Sequence, residues 1–140
     1  TTTKVVCPGV VEFVKNVANR YRLAIVSGAL RHEIELILKA AGMRDDFEHL
    51  TAAEDVLDGK PAPEGYLHAL QALNRHAPLL ASECLVIEDT LFGIQAAHAA
   101  GMRCLAVSTT FPPDRLGIAD AVTATLKSYD LEPLVRRFWN

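Results

Sequence analysis

No stretch of this chain gathers lysine and arginine. Its 14 basic residues are scattered among 17 acidic ones for a formal charge of −3 over 140 residues, which excludes a polybasic surface for nucleic acid or membrane. No apolar run approaches the ~20 residues that a membrane span requires. The opening stretch, Thr1-Thr-Thr-Lys-Val-Val-Cys-Pro8, lacks the charged and apolar regions of a signal peptide. A cytoplasmic protein with neither membrane nor nucleic-acid partner is therefore expected. Cysteine is scarce as well: Cys7, Cys84 and Cys104 are an odd number without C-x-x-C spacing, and they read as packing residues rather than zinc ligands or a disulfide framework. His49, His68, His76 and His98 share no ligand spacing, and His32, after the Ser27 loop, reads as an exposed residue in a helix's first turn or as one that reaches substrate. Repeats, low-complexity tracts and an interdomain linker are absent too. The length predicts a single domain over residues 1–140, burying roughly 70% of its unfolded surface, with residues 1–7 as a linker or a vestigial strand.

What is present is alternation. Pro8-Gly9 opens a helix with Val10, Val11, Val14, Val17 and Ala18 on one face. Leu23 to Ser27 is a continuous apolar run, the mark of a strand covered on both faces. A helix with Ile34, Ile37, Leu38 and Ala41 at helical spacing stops at Gly42. Phe47 to Ala53 predicts a weaker strand, and Glu54 to Pro63 a turn-rich loop. Glu64 to Arg75 predicts a helix burying Leu67, Leu70 and Leu73. Cys84 to Ile87 and Arg103 to Ser108 are strands, Asp120 to Thr125 a short edge strand, and Leu131 to Trp139 a closing helix. Strand–helix alternation implies right-handed crossovers, hence an α/β, Rossmann-like parallel sheet with helices on both faces.

The chain is organised around Leu85-Val-Ile-Glu-Asp-Thr-Leu-Phe-Gly-Ile-Gln-Ala-Ala-His-Ala-Ala-Gly-Met102, where an apolar strand ends in two adjacent carboxylates and gives way to a small-residue helix. Open parallel sheets bind ligands outside the carboxyl ends of their strands, so Glu88 and Asp89 point to a hard cation or an electrostatic task. The competing reading is an acid placed to complement a helix macrodipole. The residues that end or follow successive strands, Ser27-Gly28, Lys60 and Glu88-Asp89, converge on one rim. A hydroxyl and backbone amides at a helix start accept an anion, as Ser27, Gly28 and Ala29 would. Lys60, set in a Gly-Lys-Pro turn, offers a point charge to a phosphate oxygen. The two carboxylates suit Mg2+, which takes a few carboxylates together with phosphate and water. Together these residues describe a phosphoryl-transfer site.

The order Val26-Ser-Gly28, then Gly59-Lys-Pro-Ala-Pro-Glu-Gly-Tyr66, then Val86-Ile-Glu-Asp-Thr-Leu-Phe-Gly93 with the alanine-rich helix after it resembles the haloacid dehalogenase superfamily, its phosphatase and β-phosphoglucomutase branch in particular. The likeness runs from about Pro8 to Val122. It implies that Ser27 binds the transferring phosphate with help from the Gly28 and Ala29 amides. It implies too that Lys60 neutralises phosphate charge and steadies the nucleophile, and that Asp89 ligates Mg2+ with Glu88 as a further ligand or as a partner behind it. Thr90 stands where that motif usually has serine and keeps the hydroxyl. The implied substrate is a small phosphorylated metabolite.

One motif of that family is missing. No Asp-x-Asp occurs anywhere in the sequence, and in the family that motif supplies the nucleophile and the general acid/base at the end of the first strand, ahead of an inserted cap. The chain thus resembles the later part of such an enzyme. Removing a central strand would leave a gap of about 10 Å between its two former neighbours, here Leu23–Ser27 and Cys84–Ile87, with unpaired backbone on both. Three remedies are expected: a companion N-terminal fragment, occupation of the slot by Thr2 to Val6, or self-association. None restores a nucleophile from within this chain, so it is expected to be inactive alone, as a catalytically incomplete fragment or a non-catalytic binding module. Phosphomutase and dehalogenase activities stand as alternatives to phosphatase.

Overall fold

A computed structural model describes residues 9–139 of the chain. The expectations for Cys7, for Pro8 as a helix start and for a strand over residues 2–6 lie outside the described residues. Five helices, α1 (Val10–Ala18), α2 (Arg31–Ala40), α3 (Glu64–Asn74), α4 (Leu91–Ala99) and α5 (Glu132–Trp139), alternate with five strands, β1 (Ala24–Val26), β2 (His49–Thr51), β3 (Leu85–Glu88), β4 (Arg103–Val107) and β5 (Ala121–Thr123). All pairings are parallel, in two separate groups. β1 pairs with β2, Ile25 opposite Leu50; β3 pairs with β4, Val86 opposite Cys104, and β4 with β5, Ala106 opposite Val122.

Helices cover both faces. On one, Phe13, Val14 and Val17 of α1, Ile34 and Leu38 of α2 and Leu134 of α5 form a cluster with Leu50 of β2 and Leu105 of β4. On the other, Tyr66 of α3 and Ile94, Ala96 and Ala97 of α4 pack with Val86, Cys104 and Ala106. The helices therefore bind the two strand groups into one body. Cys104 is fully buried and Cys84 half-buried, both unpaired. Burial holds both thiols up, Cys104 at about 12, so they pack as inert apolar groups.

The break in the sheet falls where a central strand was expected to be missing. Ser27 N–H donates to Thr51 C=O and Glu48 N–H donates to Leu23 C=O, so the alternate backbone groups of Ala24 and Val26 turn to the opposite edge of β1. Arg103 N–H donates to Cys84 C=O, which turns those of Leu85 and Ile87 to the opposite edge of β3. Among the described residues no strand pairs with either of these edges. The apolar run of β1 had predicted a strand covered on both faces; instead Ala24, Ile25 and Val26 are all only half-buried, and Ile87 keeps 37% of its surface.

α2 buries Ile34 and Leu38 and α3 buries Leu73, as spacing suggested, but one expected residue of each helix stays outside. Ile37 is 42% exposed and Leu67 43% exposed. α3 buries Tyr66, Ala69 and Ala72 beside Leu73, because small residues let it lie close on β1 and β2; a Cβ on Gly65 would stand 2.8 Å from Val26 Cγ1. β2 is also shorter than the run Phe47 to Ala53.

That packing brings two histidines onto one buried hydroxyl. Thr51, 1% exposed, has His49 Nε2 and His68 Nδ1 each 2.8 Å from Oγ1, with the rings 5.4 Å apart. Arg31, Asp55 and Arg75 also act on His49, while Glu64 lies within reach of His68. Burial first, then the neighbouring His68, holds the His49 pKa below its ordinary 6.5. The unfolded chain therefore takes up this proton first on acidification, so the stability that neutral His49 contributes is whole above about pH 6.5 and drains as pH falls. The melting temperature should drop from about pH 7.5 to about pH 5.5. His68→Gln, which keeps a hydrogen-bonding group without the charge, should flatten that drop; an unchanged profile would remove the pair as its source.

Candidate functional site

The rim is built from the loops that leave β1, β3 and β4 and from the loop that leads into α3. Lys60 lies at its centre. Its Nζ donates to Val26 C=O at 3.3 Å and to Glu88 Oε2 at 2.5 Å, so one ammonium spans the mouth of the gap between the two strand groups. Glu64 anchors the lysine's loop: its carboxylate accepts from the Leu57 and Asp58 amides, both at 2.9 Å, and these two bonds hold its pKa below the usual range. The lysine binds backbone next to Ser27 on one side and the neighbour of Asp89 on the other. The structure thus gathers Ser27, Lys60 and Asp89 at one place.

Glu88 points inward. Its side chain is 7% exposed, and Oε2 accepts from both Lys60 and the Tyr66 hydroxyl, each at 2.5 Å. Oε1 accepts from the Asp89 amide at 3.2 Å and the Thr90 hydroxyl at 3.4 Å. Room for the carboxylate exists because residue 93 is glycine: a Cβ there would sit 1.9 Å from Glu88 Cδ. Of the two roles expected for Glu88, this geometry matches the partner behind the site. Thr90 caps α4, its Oγ1 accepting from Gly93 N–H at 3.1 Å.

Asp89 is half-buried and faces the rim. Thr110, from the loop after β4, donates its hydroxyl to Asp89 Oδ2 at 2.6 Å; among the described residues no donor reaches Oδ1. At the first strand, the Ala29 amide donates to Ser27 Oγ at 3.1 Å, an internal bond where an anion contact had been expected. The Leu30 and Arg31 amides at the start of α2 are taken by Glu33 and Glu54. Among the described residues the Gly28 amide has no partner, so it and the Ser27 hydroxyl proton are the donors offered here, with open space over Gly28.

The metal expectation can be set against these donors. Among the described residues no three His, Cys, Asp or Glu side chains cluster. One free oxygen of Asp89 suits Mg2+ in its habit of keeping several waters and adding one or two carboxylates and a substrate phosphate; it does not suit a cation that needs a full protein cage. Tyr66 and Thr110 had been assigned no role. Tyr66 closes the Gly59–Tyr66 motif. Thr110 ends the polar run Ser108-Thr-Thr110, which follows an apolar strand just as the other rim residues do.

A family model of haloacid dehalogenase-like hydrolases matches residues 1–101. The chloroplastic protein SUPPRESSOR OF QUENCHING 1 of Arabidopsis thaliana is 42% identical over 105 residues, 74% of this chain and 10% of that protein. The chloroplastic 5-amino-6-(5-phospho-D-ribitylamino)uracil phosphatase of the same plant is 34% identical over 108 residues, 77% of this chain and 28% of that one. The crystal structure of β-phosphoglucomutase from Clostridium difficile superposes with a TM-score of 0.80 at 25% identity, over 95% of this chain and 56% of the other. The chain therefore spans between a tenth and little more than half the length of these relatives. With most of its length matched by the family model, and with the parallel strands and helices of that fold, the chain belongs to the haloacid dehalogenase-like hydrolases.

Proposed function

We propose that this chain is the larger part of a Mg2+-dependent phosphatase core acting on a small phosphorylated metabolite. The observation that carries the reading is the position of Lys60, a cation held across the gap between β1 and β3 with the Ser27-Gly28 turn on one side and Asp89 on the other. The phosphatase and phosphomutase named among its relatives support it. The nucleophilic aspartate, which no Asp-x-Asp of this sequence supplies, would come on a strand filling that gap.

The chain's own residues then have defined tasks. The Ser27 hydroxyl and Gly28 amide bind phosphate oxygens, and Lys60 offsets the charge that gathers on the phosphoryl group as its bond to the leaving oxygen breaks. Thr110 fixes the Asp89 carboxylate so that its free oxygen faces the rim. Mg2+, when bound at Asp89, would offer positive charge to the phosphate oxygens. Donors held in place before the reaction need no reorganisation as charge develops, which is where their advantage over water lies.

The test is hydrolysis of p-nitrophenyl phosphate by the full encoded protein with and without Mg2+. Lys60→Ala and Asp89→Asn should each lower kcat/KM by roughly 100-fold or more, and Ser27→Ala by roughly tenfold, because the Gly28 amide remains. Turnover indifferent to Mg2+, or normal kinetics in the lysine and aspartate variants, would sink the assignment. A full protein with no turnover at all would instead favour the non-catalytic module.

A further inference from the structure

Lys60 has to serve two partners. In this structure it is bound to Glu88, yet the proposed phosphatase reading, on which this inference rests, requires it to turn to an incoming anion. Withdrawing a cation from a buried carboxylate is costly unless other donors remain. Glu88 cannot follow the lysine or turn to water, because it is 7% exposed and pressed against Gly93, with no space even for a methyl group between them.

We propose that Tyr66 is a positioning residue that frees Lys60 for the anion: its hydroxyl donates to the same Glu88 oxygen and keeps that oxygen satisfied when the lysine leaves. The two donors reach Oε2 at the same 2.5 Å. Tyr66 is 7% exposed, and burial first, then the charge of Glu88, pushes its hydroxyl far above the ordinary range, so it stays a donor at any working pH. The Asp89 amide and Thr90 hydroxyl hold the other oxygen. Of the four donors, three are fixed by backbone, a helix cap or burial, and only Lys60, 27% exposed, is free to move. The tyrosine ring also lies 5.2 Å from Nζ, an apolar face along which an ammonium moves without losing all of its stabilisation.

Tyr66→Phe removes the hydroxyl and keeps the ring. Oε2 is then left to Lys60 alone, which it should hold more firmly. Two readouts follow, neither needing turnover. Calorimetric titration with inorganic phosphate should show roughly tenfold weaker binding to the variant. Acetylation of Lys60 by acetic anhydride, followed by peptide mass mapping, should slow by roughly the same factor. A tyrosine that served packing alone would change the melting temperature without changing either readout.

Unaltered phosphate affinity and labelling in Tyr66→Phe would overturn the proposal while leaving the phosphatase reading in place. Slowed labelling in a protein whose wild type binds no phosphate would uphold the role of Tyr66 and remove the anion-site reading. Should the phenylalanine variant fail to fold, Glu88→Gln decides the matter, since it keeps an acceptor for Tyr66 while weakening the pull on the lysine. Labelling must then accelerate, and an unchanged rate overturns the proposal.

Discussion

Gly93→Ala should lower the melting temperature by about 10 °C, a loss of roughly 3 kcal/mol for a chain of this size. In an exposed helix interior the same change would stabilise by about 1 kcal/mol, since alanine is the better helix former. Here the sign is reversed by position. The new methyl would lie 1.9 Å from Glu88 Cδ and 2.1 and 2.3 Å from its two oxygens, none of which has anywhere to go: the carboxylate is held by Lys60, Tyr66, Thr90 and the Asp89 amide. Either α4 lifts from the sheet, uncovering Ile94, Ala96 and Ala97, or the carboxylate abandons its donors. Thermal unfolding followed by circular dichroism measures the loss. A variant as stable as the wild type would show that Glu88 is loosely held, and would weaken every statement about Lys60 that depends on it.

The second large effect is Glu88→Ala. Truncation strands the buried Tyr66 hydroxyl without an acceptor, leaves Lys60 with Val26 C=O but no countercharge, and opens a small cavity under α4. Removing one partner of a buried ion pair costs about 3–5 kcal/mol, but water reaching the lysine, 27% exposed, screens part of that, so a loss of roughly 2–3 kcal/mol is expected. Glu88→Gln, of the same shape and still an acceptor, should lose about half as much. Urea titration of the two variants separates the contributions of charge and shape. Equal losses would mean that the interaction is one of charge alone.

Much of the architecture was legible from alternation. The apolar runs at Ala24–Val26, Leu85–Ile87 and Cys104–Val107 are strands, and Ala96 and Ala97 of α4 lie on the sheet with no exposure. The polar residues after those runs meet at one rim because parallel strands all deliver their carboxyl ends to the same side. Periodicity was a poorer guide to which face of a helix turns inward. Of the three leucines it favoured in α3, Leu73 is buried and Leu70 half-buried but Leu67 is exposed, and Tyr66, Ala69 and Ala72 are buried beside them, since closeness of approach is worth more there than side-chain size. It also could not show that Glu88 and Asp89, adjacent in sequence, point opposite ways, one to the interior and one to the rim. Alternation along a strand reverses successive side chains, but only the glycine opposite reveals which one is enclosed. Tyr66 reads only as the last residue of its motif, since an aromatic in a helix looks like core, and the one sign of Thr110 is its place in the polar run that follows an apolar strand.

The order in which the strands pair bears on how the molecule assembles. β1 and β2 belong to one contiguous segment and β3, β4 and β5 to another, so each group closes over short stretches of chain. What joins the groups is different in kind: α1, near the beginning, and α5, at the end, share one apolar cluster, and the Tyr21 hydroxyl, just past α1, donates to Glu132 across 111 positions at 2.7 Å. Contacts between such distant residues carry the greatest loop-closure entropy. The two groups of strands can thus form separately, and they are joined both by these distant contacts and by the Lys60 and Tyr66 bonds to Glu88.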